Sequence, residues 1–188
     1  MSNIIIDDGG SGSTSKFGFL SNDNNYGFYE PDDTWWPTVT HYLEAKKFEG
    51  TQYESIIRRA KTVCKVKRLT RERNVLIISS TSGGTAYNIE RRKVYGINNG
   101  YTPKVNWDKV RKDYLRVALR EKFNKHPRLQ QLLMGTRLRK FQSNDRNETA
   151  DALTELRELL LEKYKPKYPT LQKVNLLQTK IPRHPKYS

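Results

Sequence analysis

The fold of this 188-residue chain is decided by the stretch Trp36-Pro37-Thr38-Val39-Thr40-His41-Tyr42-Leu43-Glu44-Ala45-Lys46-Lys47-Phe48. Its apolar side chains, including Val39, Tyr42 and Leu43, recur at helical spacing, and Thr38 is a residue type that caps helix N-termini. Gly50 follows the stretch, and glycine commonly ends a helix. The pattern predicts a short helix with one face in the core.

Helical patterns also dominate the remainder of the chain. Short helices are predicted around residues 53–57 and after Thr62, a long one over 106–125, and two more over 127–135 and 148–164. Residues 70–104 differ, because two strand-like runs there (residues 75–78 and 94–97) flank a segment rich in Ser, Thr and Gly. This segment predicts an inserted hairpin. The expected fold class is α+β, mainly α.

The composition predicts one domain with two tails. Residues 1–15 are rich in Gly and Ser, which predicts a flexible N-terminal segment. Residues 16–164 form the domain, with residues 70–104 as its insertion. Residues 165–188 combine Pro with Lys and Arg, which predicts a basic tail.

The charge of the chain favours phosphate-bearing partners. Thirty-five Lys and Arg residues against 20 Asp and Glu residues give a net charge of +15, and such a surface attracts nucleotides and nucleic acids. The densest basic stretch is a candidate nucleic-acid contact, although a solvated helix face is an equally simple interpretation. Its members are Lys65, Lys67, Arg68, Arg71 and Arg73.

Several classes of protein are disfavoured. No apolar run approaches the roughly 18 residues of a membrane span, and the N-terminus has no secretory signal pattern. Cys64 is the one cysteine, so disulfide frameworks and Cys-rich zinc sites are excluded. No phosphate-loop, dinucleotide-binding or metal-binding spacing occurs, and no cofactor is expected. We therefore expect a reducing compartment, cytoplasmic or nuclear, or packaging in a particle.

Three blocks carry a resemblance to the NADAR (YbiA-like) family. The opening stretch resembles the family pattern W-P-[TS]-x-E-H-Y-x-x-A-x-K-F. Arg58-Arg59 and the basic run after them are similar to its next helix, and the segment from Asn106-Trp107 to His126-Pro127 is similar to its W-x-x-V…A-L-x-x-K-F block. The order and spacing agree over roughly residues 16–163, so the resemblance implies the YbiA-like fold.

The resemblance also implies an activity. Members of the family are N-glycosidases that hydrolyse a bond between ribose and a base nitrogen, in riboflavin precursors or in ADP-ribosylated guanine. Such a reaction builds positive charge on the ribose, so it requires a carboxylate nearby. The family supplies that carboxylate from the Glu of E-H-Y, and an aromatic face for the base from the Trp of W-x-x-V.

This sequence departs from the family pattern at two places. Thr40 stands where the family has its Glu, so we consider Glu44, one helical turn later, and Asp145 as candidate catalytic carboxylates. After Asn144-Asp145, the family's Trp-Gly and its glycine-rich loop are missing. The departures leave three hypotheses open: an active N-glycosidase for a nucleotide or ADP-ribosyl ligand, an inactive relative that binds nucleic acid or serves in particle packing, or a protein that binds NAD or ADP-ribose without turnover.

The resemblance and the residue chemistry together nominate a set of substrate-binding residues. Aromatic stacking suits the base, cations suit phosphate, and short polar groups suit ribose hydroxyls. For most members a structural role, such as core packing, a solvated face or helix capping, is the alternative. The set is Trp107, Thr40, His41, Lys47, Arg58, Arg59 and Asn144.

Overall fold

Six α-helices dominate the described residues of the protein, together with three small two-stranded sheets. The computed structural model describes residues 3–6, 16–80, 87–95 and 101–165. The helices are α1 (Val39–Lys46), α2 (Gln52–Arg58), α3 (Val63–Thr70), α4 (Trp107–Lys125), α5 (Pro127–Met134) and α6 (Glu148–Lys163). The prediction of an α+β, mainly α fold is confirmed. None of the helices in these ranges is long and apolar enough to span a membrane.

Local capping chemistry sets the starts of the first three helices. The hydroxyls of Thr38, Thr51 and Thr62 each accept a hydrogen bond from a backbone N–H in the first turn of α1, α2 and α3. This satisfies donors that a helix N-terminus otherwise leaves without a partner. Asn106 stands at the N-cap of α4 but makes no capping bond through its side chain.

The core lies between α1, α4 and α6. Helix α4 packs against both α1 and α6, and a short 3-10 helix, Gly18–Leu20, is buried with its Phe19 ring against Phe123 of α4. Trp36, Phe28 and Phe123 are among the largest side chains that are completely buried. This packing holds the start of α1 beside the loop that follows the 3-10 helix.

Strands at both ends of the domain correct one prediction. Strand β1 (Ile4–Ile6) pairs in parallel with β6 (Phe141–Ser143), and both Ile4 and Ile6 are only 2% exposed. The predicted flexible segment over residues 1–15 is therefore wrong for Ile4–Ile6, because alternation of buried and exposed isoleucines suits a strand. Residues 7–15 lie outside the described ranges.

Two antiparallel pairs complete the strands. Strand β2 (Phe28–Tyr29) pairs with β3 (Trp35–Trp36). The inserted hairpin is formed by β4 (Glu72–Ser80) and β5 (Tyr87–Tyr95). Its return strand begins seven residues before the predicted Val94, and β4 contains Arg73, which the sequence placed in a helical basic stretch. The basic tail lies outside the described residues beyond position 165.

Candidate active site

A carboxylate stands beside the first turn of α1. The Thr40 hydroxyl donates a hydrogen bond of 2.5 Å to Oδ1 of Asp23, and the Lys67 ammonium lies 2.7 Å from Oδ2 of the same group. The Asp23 side chain is only 7% exposed, whereas that of Lys67 is about half exposed at 47%. Thr40, at the position where the family pattern has its glutamate, is thus in contact with an aspartate from another part of the chain.

The loop that carries Asp23 is fixed from several directions. Lys122, which is completely buried, donates 2.9 Å to the carbonyl of Ser21, and the backbone N–H of Thr40 donates to the carbonyl of Asn22. The Asn22 amide donates 2.8 Å to the Thr149 hydroxyl at the start of α6. The contacts of helices α1, α4 and α6 therefore determine where Asp23 lies.

Asp145 lies at the start of α6, where its carboxylate accepts several hydrogen bonds. Donors are the Ser143 and Thr149 hydroxyls, at 2.6 Å each, and the backbone N–H of Thr149; Arg111 lies 3.6 Å away. Burial alone would raise the pKa of Asp145, but the hydrogen bonds from Ser143 and Thr149 outweigh it and the pKa is lowered. Asp145 is therefore an ionised carboxylate at neutral pH.

A cavity opens beside Asp145 with a volume of about 250 Å³. Arg111, Arg146 and exposed Asn144 line it together with the carboxylates of Asp108 and Glu148, and Arg111 forms an ion pair with Glu148. Arginine forks and an amide are suited to phosphate and hydroxyl groups. The cavity thus places candidate binding groups around one of the two predicted catalytic residues.

Trp107 and Lys47 lie where α4 begins. Trp107 opens α4 and is buried at 9% exposure, with its indole tilted against the Tyr114 ring at a centroid distance of 5.7 Å. The Lys47 ammonium lies 4.9 Å from the centroid of Tyr95. The backbone N–H of Lys104 donates to the carbonyl of Lys47, which joins the end of α1 to the start of α4.

His41 has a well-defined structural environment. It is 2% exposed, its Nε2 lies 3.0 Å from the carbonyl of Ala60, and its Nδ1 lies 2.8 Å from the Thr38 hydroxyl. A carbonyl can only accept, so Nε2 carries the proton and Nδ1 accepts from Thr38. Burial lowers the pKa of His41. The ring therefore joins the start of α1 to the segment after α2 as a neutral group.

The remaining predicted cations are dispersed. The guanidinium carbon of Arg58 lies 5.8 Å from the ring centroid of Trp36, and Arg59 is exposed at the end of α2. In the described ranges, no hydrogen bond or ion pair joins either of them to Asp23 or Asp145. The basic residues of α3 and its C-terminal flank are exposed, with Lys67 as the member that pairs with Asp23; they are Lys65, Lys67, Arg68, Arg71 and Arg73.

Glu44 lies on α1 one turn after Thr40, as predicted. It is half-buried, and within the described part of the chain it forms no ion pair with a cation. Four residues along a helix correspond to about 6 Å along its axis, so Glu44 lies that far from Thr40, where the family pattern has its glutamate. Its catalytic role stays a prediction.

A second recess, of about 440 Å³, lies near buried Lys46. The Lys46 ammonium forms ion pairs with Glu30 at 3.1 Å, Glu49 at 3.0 Å and Glu54 at 3.5 Å. Burial would raise the pKa of Glu49, but hydrogen bonds from Lys104 and Lys46 lower it to about 2. The charges here compensate one another, which is typical of a structural network.

The comparison with known families agrees with the resemblance in the motifs. A sequence model described as the NADAR domain matches residues 11–150. The chain belongs to the NADAR family. The three motif blocks identified from the sequence fall in, or begin in, that range.

Individual NADAR relatives are similar over most of this chain. N-glycosidase YbiA of Escherichia coli strain K12 is 26% identical over 138 residues, which cover 69% of this chain and 70% of the relative. N-glycosidase YbiA of Shigella boydii serotype 4 matches with the same identity and coverage. The NMR structure of the E. coli protein YbiA matches with a TM-score of 0.62, covering 89% of this chain and 92% of that one.

Sequence reasoning missed Asp23, Arg111 and Lys122 in this NADAR protein. Asp23 belongs to a run that predicts a turn, and 17 residues separate it from Thr40. Arg111 and Asp145 are further apart still. No local pattern reports such contacts, although a carboxylate missing from one family position is a reason to search for another near it in space.

Proposed function

We propose that this protein is an N-glycosidase that hydrolyses the bond between a ribose and a base nitrogen in a phosphorylated nucleotide, such as ADP-ribosylated guanine. Membership of the NADAR family supports the reaction type, since the relatives described above are named N-glycosidases. The choice of a phosphorylated substrate is supported by the net charge of +15.

The observation that carries the proposal is the surroundings of Asp145. Its carboxylate is held ionised beside a cavity whose other lining groups include Arg111, Arg146 and Asn144. A negative charge stabilises the cationic ribose of the transition state. Because the hydrogen bonds of Asp145 already fix its orientation, no reorganisation is needed during the reaction. In the proposal Arg111 and Arg146 hold phosphate and Asn144 meets a ribose hydroxyl. The predicted base contact through Trp107 has no support from the described lining of this cavity, because the indole is buried against Tyr114.

The test is release of ADP-ribose from an oligonucleotide that carries ADP-ribosylated guanine, followed by chromatography. Asp145→Asn should lower kcat by about 10²-fold or more, since it removes the charge. Asparagine can still accept from the Thr149 N–H, so α6 should stay capped. Asp151→Asn, an exposed change on the same helix, is the matched control. No release by the wild-type protein at high enzyme concentration would remove the proposal.

A second candidate function rests on a different observation. Lys65 and Arg68 on α3, and Arg71 just after it, are all exposed, as expected of a surface that contacts a polyanion. In this alternative the protein is an inactive family member that binds nucleic acid or packs it in a particle. Its affinity for DNA should fall steeply with salt, and replacing the three residues by Gln should reduce the slope by about three. Absence of DNA binding at low salt would contradict it.

A further inference from the structure

A carboxylate from another part of the chain lies next to Thr40, at the position where the family pattern has a glutamate. We infer that Asp23 is the catalytic base of this protein, acting together with the charge of Asp145, and takes the place of the glutamate that the family pattern has where Thr40 stands. The inference rests on the proposed function, which it deepens by naming the group that activates water. The contact between Thr40 Oγ1 and Asp23 Oδ1, at 2.5 Å, is the juxtaposition from which it starts.

The reach of the side chains is compatible with such a replacement. A glutamate at position 40 would hold its carboxylate two carbons beyond Cβ. Here the threonine hydroxyl and one hydrogen bond of 2.5 Å stand between Cβ and the nearer carboxylate oxygen of Asp23, so the charge lies about 1–2 Å farther from the helix. The charge is carried by the neighbouring loop and lies within one hydrogen bond of position 40.

The loop holds Asp23 as a catalytic site requires. The backbone N–H of Asp23 donates to the Ser21 hydroxyl at 3.1 Å, and Lys122 fixes the carbonyl of Ser21. Asn22, the adjacent residue, reaches Asp145 through the Thr149 hydroxyl in two hydrogen bonds of 2.8 Å and 2.6 Å. Two carboxylates are thus joined in one rigid network, and glycosidic hydrolysis commonly uses such a pair.

Lys67 contacts the second oxygen of Asp23. Its side chain is half exposed and lies at the solvent side of the carboxylate, which is itself almost buried. A long exposed lysine changes position at little energetic cost, so the phosphate of an arriving nucleotide can draw the ammonium away from Oδ2. That movement would expose Oδ2 to the attacking water when substrate is bound.

The chemical step uses Asp23 as the base. The water oxygen bonds to C1 of the ribose while one of its protons passes to the Asp23 carboxylate. The bond from C1 to the base nitrogen breaks, and its electron pair stays on that nitrogen. The proton held by Asp23 then reaches the nitrogen through solvent, which regenerates the carboxylate. The products are the ribose with a hydroxyl on C1 and the protonated base.

The test combines turnover with binding of a charged analogue. Asp23→Asn retains a hydrogen-bond acceptor for Thr40 but removes the charge, and should lower kcat by about 10²–10⁴-fold with a smaller change in KM. Asp33→Asn, an exposed aspartate in a turn, is the matched control. The exchange variant Asp23→Ser with Thr40→Glu returns the carboxylate to the helix, and should regain at least about tenfold over Asp23→Ser alone.

Calorimetry with an iminoribitol phosphate, whose ring is cationic, and with ribose 5-phosphate, whose ring is neutral, supplies a readout that does not need turnover. The wild type should favour the compound with the cationic ring by about tenfold or more, and Asp23→Asn should reduce that preference by at least about threefold, with Asp145 supplying the remainder. If the wild type prefers the compound with the cationic ring, and Asp23→Asn weakens that preference, but no glycosidase activity is found, the proposed function fails. The role of Asp23 as an anion of the binding site then stands. Equal binding of both compounds by the wild type, or full turnover in Asp23→Asn with loss in Glu44→Gln, overturns the inference.

Discussion

Replacing Lys46 by Met should destabilise the protein far more than the same change at its neighbour Lys47. Lys46 is buried at 7% exposure and compensates the carboxylates of Glu30, Glu49 and Glu54. Met retains most of the hydrocarbon stem but none of the charge. The carboxylates that remain are partly desolvated and close to one another, so the substitution leaves negative charge without its counter-ion.

The contacts that survive set the magnitude. Removing one partner of a buried ion pair generally costs about 3–5 kcal/mol. Glu30 keeps two donors, the Trp36 indole N–H at 3.2 Å and the Tyr42 hydroxyl at 3.3 Å, and Glu49 keeps Lys104. We therefore expect the lower end of the range, about 3 kcal/mol. Lys47 has no carboxylate partner in the described part of the chain, so Lys47→Met should cost less than about 1 kcal/mol.

Urea denaturation followed by circular dichroism measures the difference. With an m-value of about 2–3 kcal/mol per M, the midpoint for Lys46→Met should move down by about 1–1.5 M, and that for Lys47→Met by less than about 0.5 M. Adding Glu30→Gln to Lys46→Met should recover part of the loss, because it removes one uncompensated charge. Midpoints for the two lysine variants within about 0.3 M of each other would refute the assignment of a structural network to Lys46.

Two further predictions concern pH and packing. Burial lowers the pKa of His41 below 6.5, so the unfolded chain binds the proton more readily than the folded protein. The contribution of this group to the free energy of unfolding should therefore be complete above pH 6.5 and decrease as the pH is lowered. In urea titrations at about pH 7.5 and 5.5, His41→Gln should reduce the difference between the two values. At Gly27 an added Cβ would overlap the Trp35 ring and lie 2.9 Å from the carbonyl of Trp36, so Gly27→Ala should lower stability by about 1–3 kcal/mol. Gly135→Ala, whose Cβ would come no closer than 3.3 Å to its neighbours, is the thermal-unfolding control, and an equal loss there would contradict the packing argument.

Residue spacing and helix-capping residues predicted the elements that interactions between nearby residues stabilise, namely the helices and the hairpin. Thr38 and Thr62 were expected to begin helices and do so with their hydroxyls, and the long helix was expected over 106–125 and is found over Trp107–Lys125. The hairpin in the insertion was also expected. Strand β1 was missed, because three isoleucines beside a Gly/Ser-rich run give a weak signal until a distant strand pairs with them.

The site shows the same division. Asp145, Asn144 and Thr40 were nominated from the motifs, and the structure places Asp145 and Asn144 on one cavity. Lys47, Arg58 and Arg59 were nominated on the same grounds, yet the described contacts place Lys47 and Arg58 against separate aromatic rings and leave Arg59 exposed. A motif fixes the order of residues along the chain, whereas convergence on a ligand depends on how the elements pack.

By itself the amino-acid sequence determined the helical character of the chain, its helix caps and the motif blocks that match the NADAR family. The helices and their caps follow from residue spacing and from hydrogen bonds within a few positions. Only the tertiary structure decided that Asp23 meets Thr40 and that Lys67, 44 residues from Asp23, completes the ion pair. Contacts at that separation form when the core between α1, α4 and α6 brings loops together, because burial of apolar surface, not local propensity, sets the distance between them.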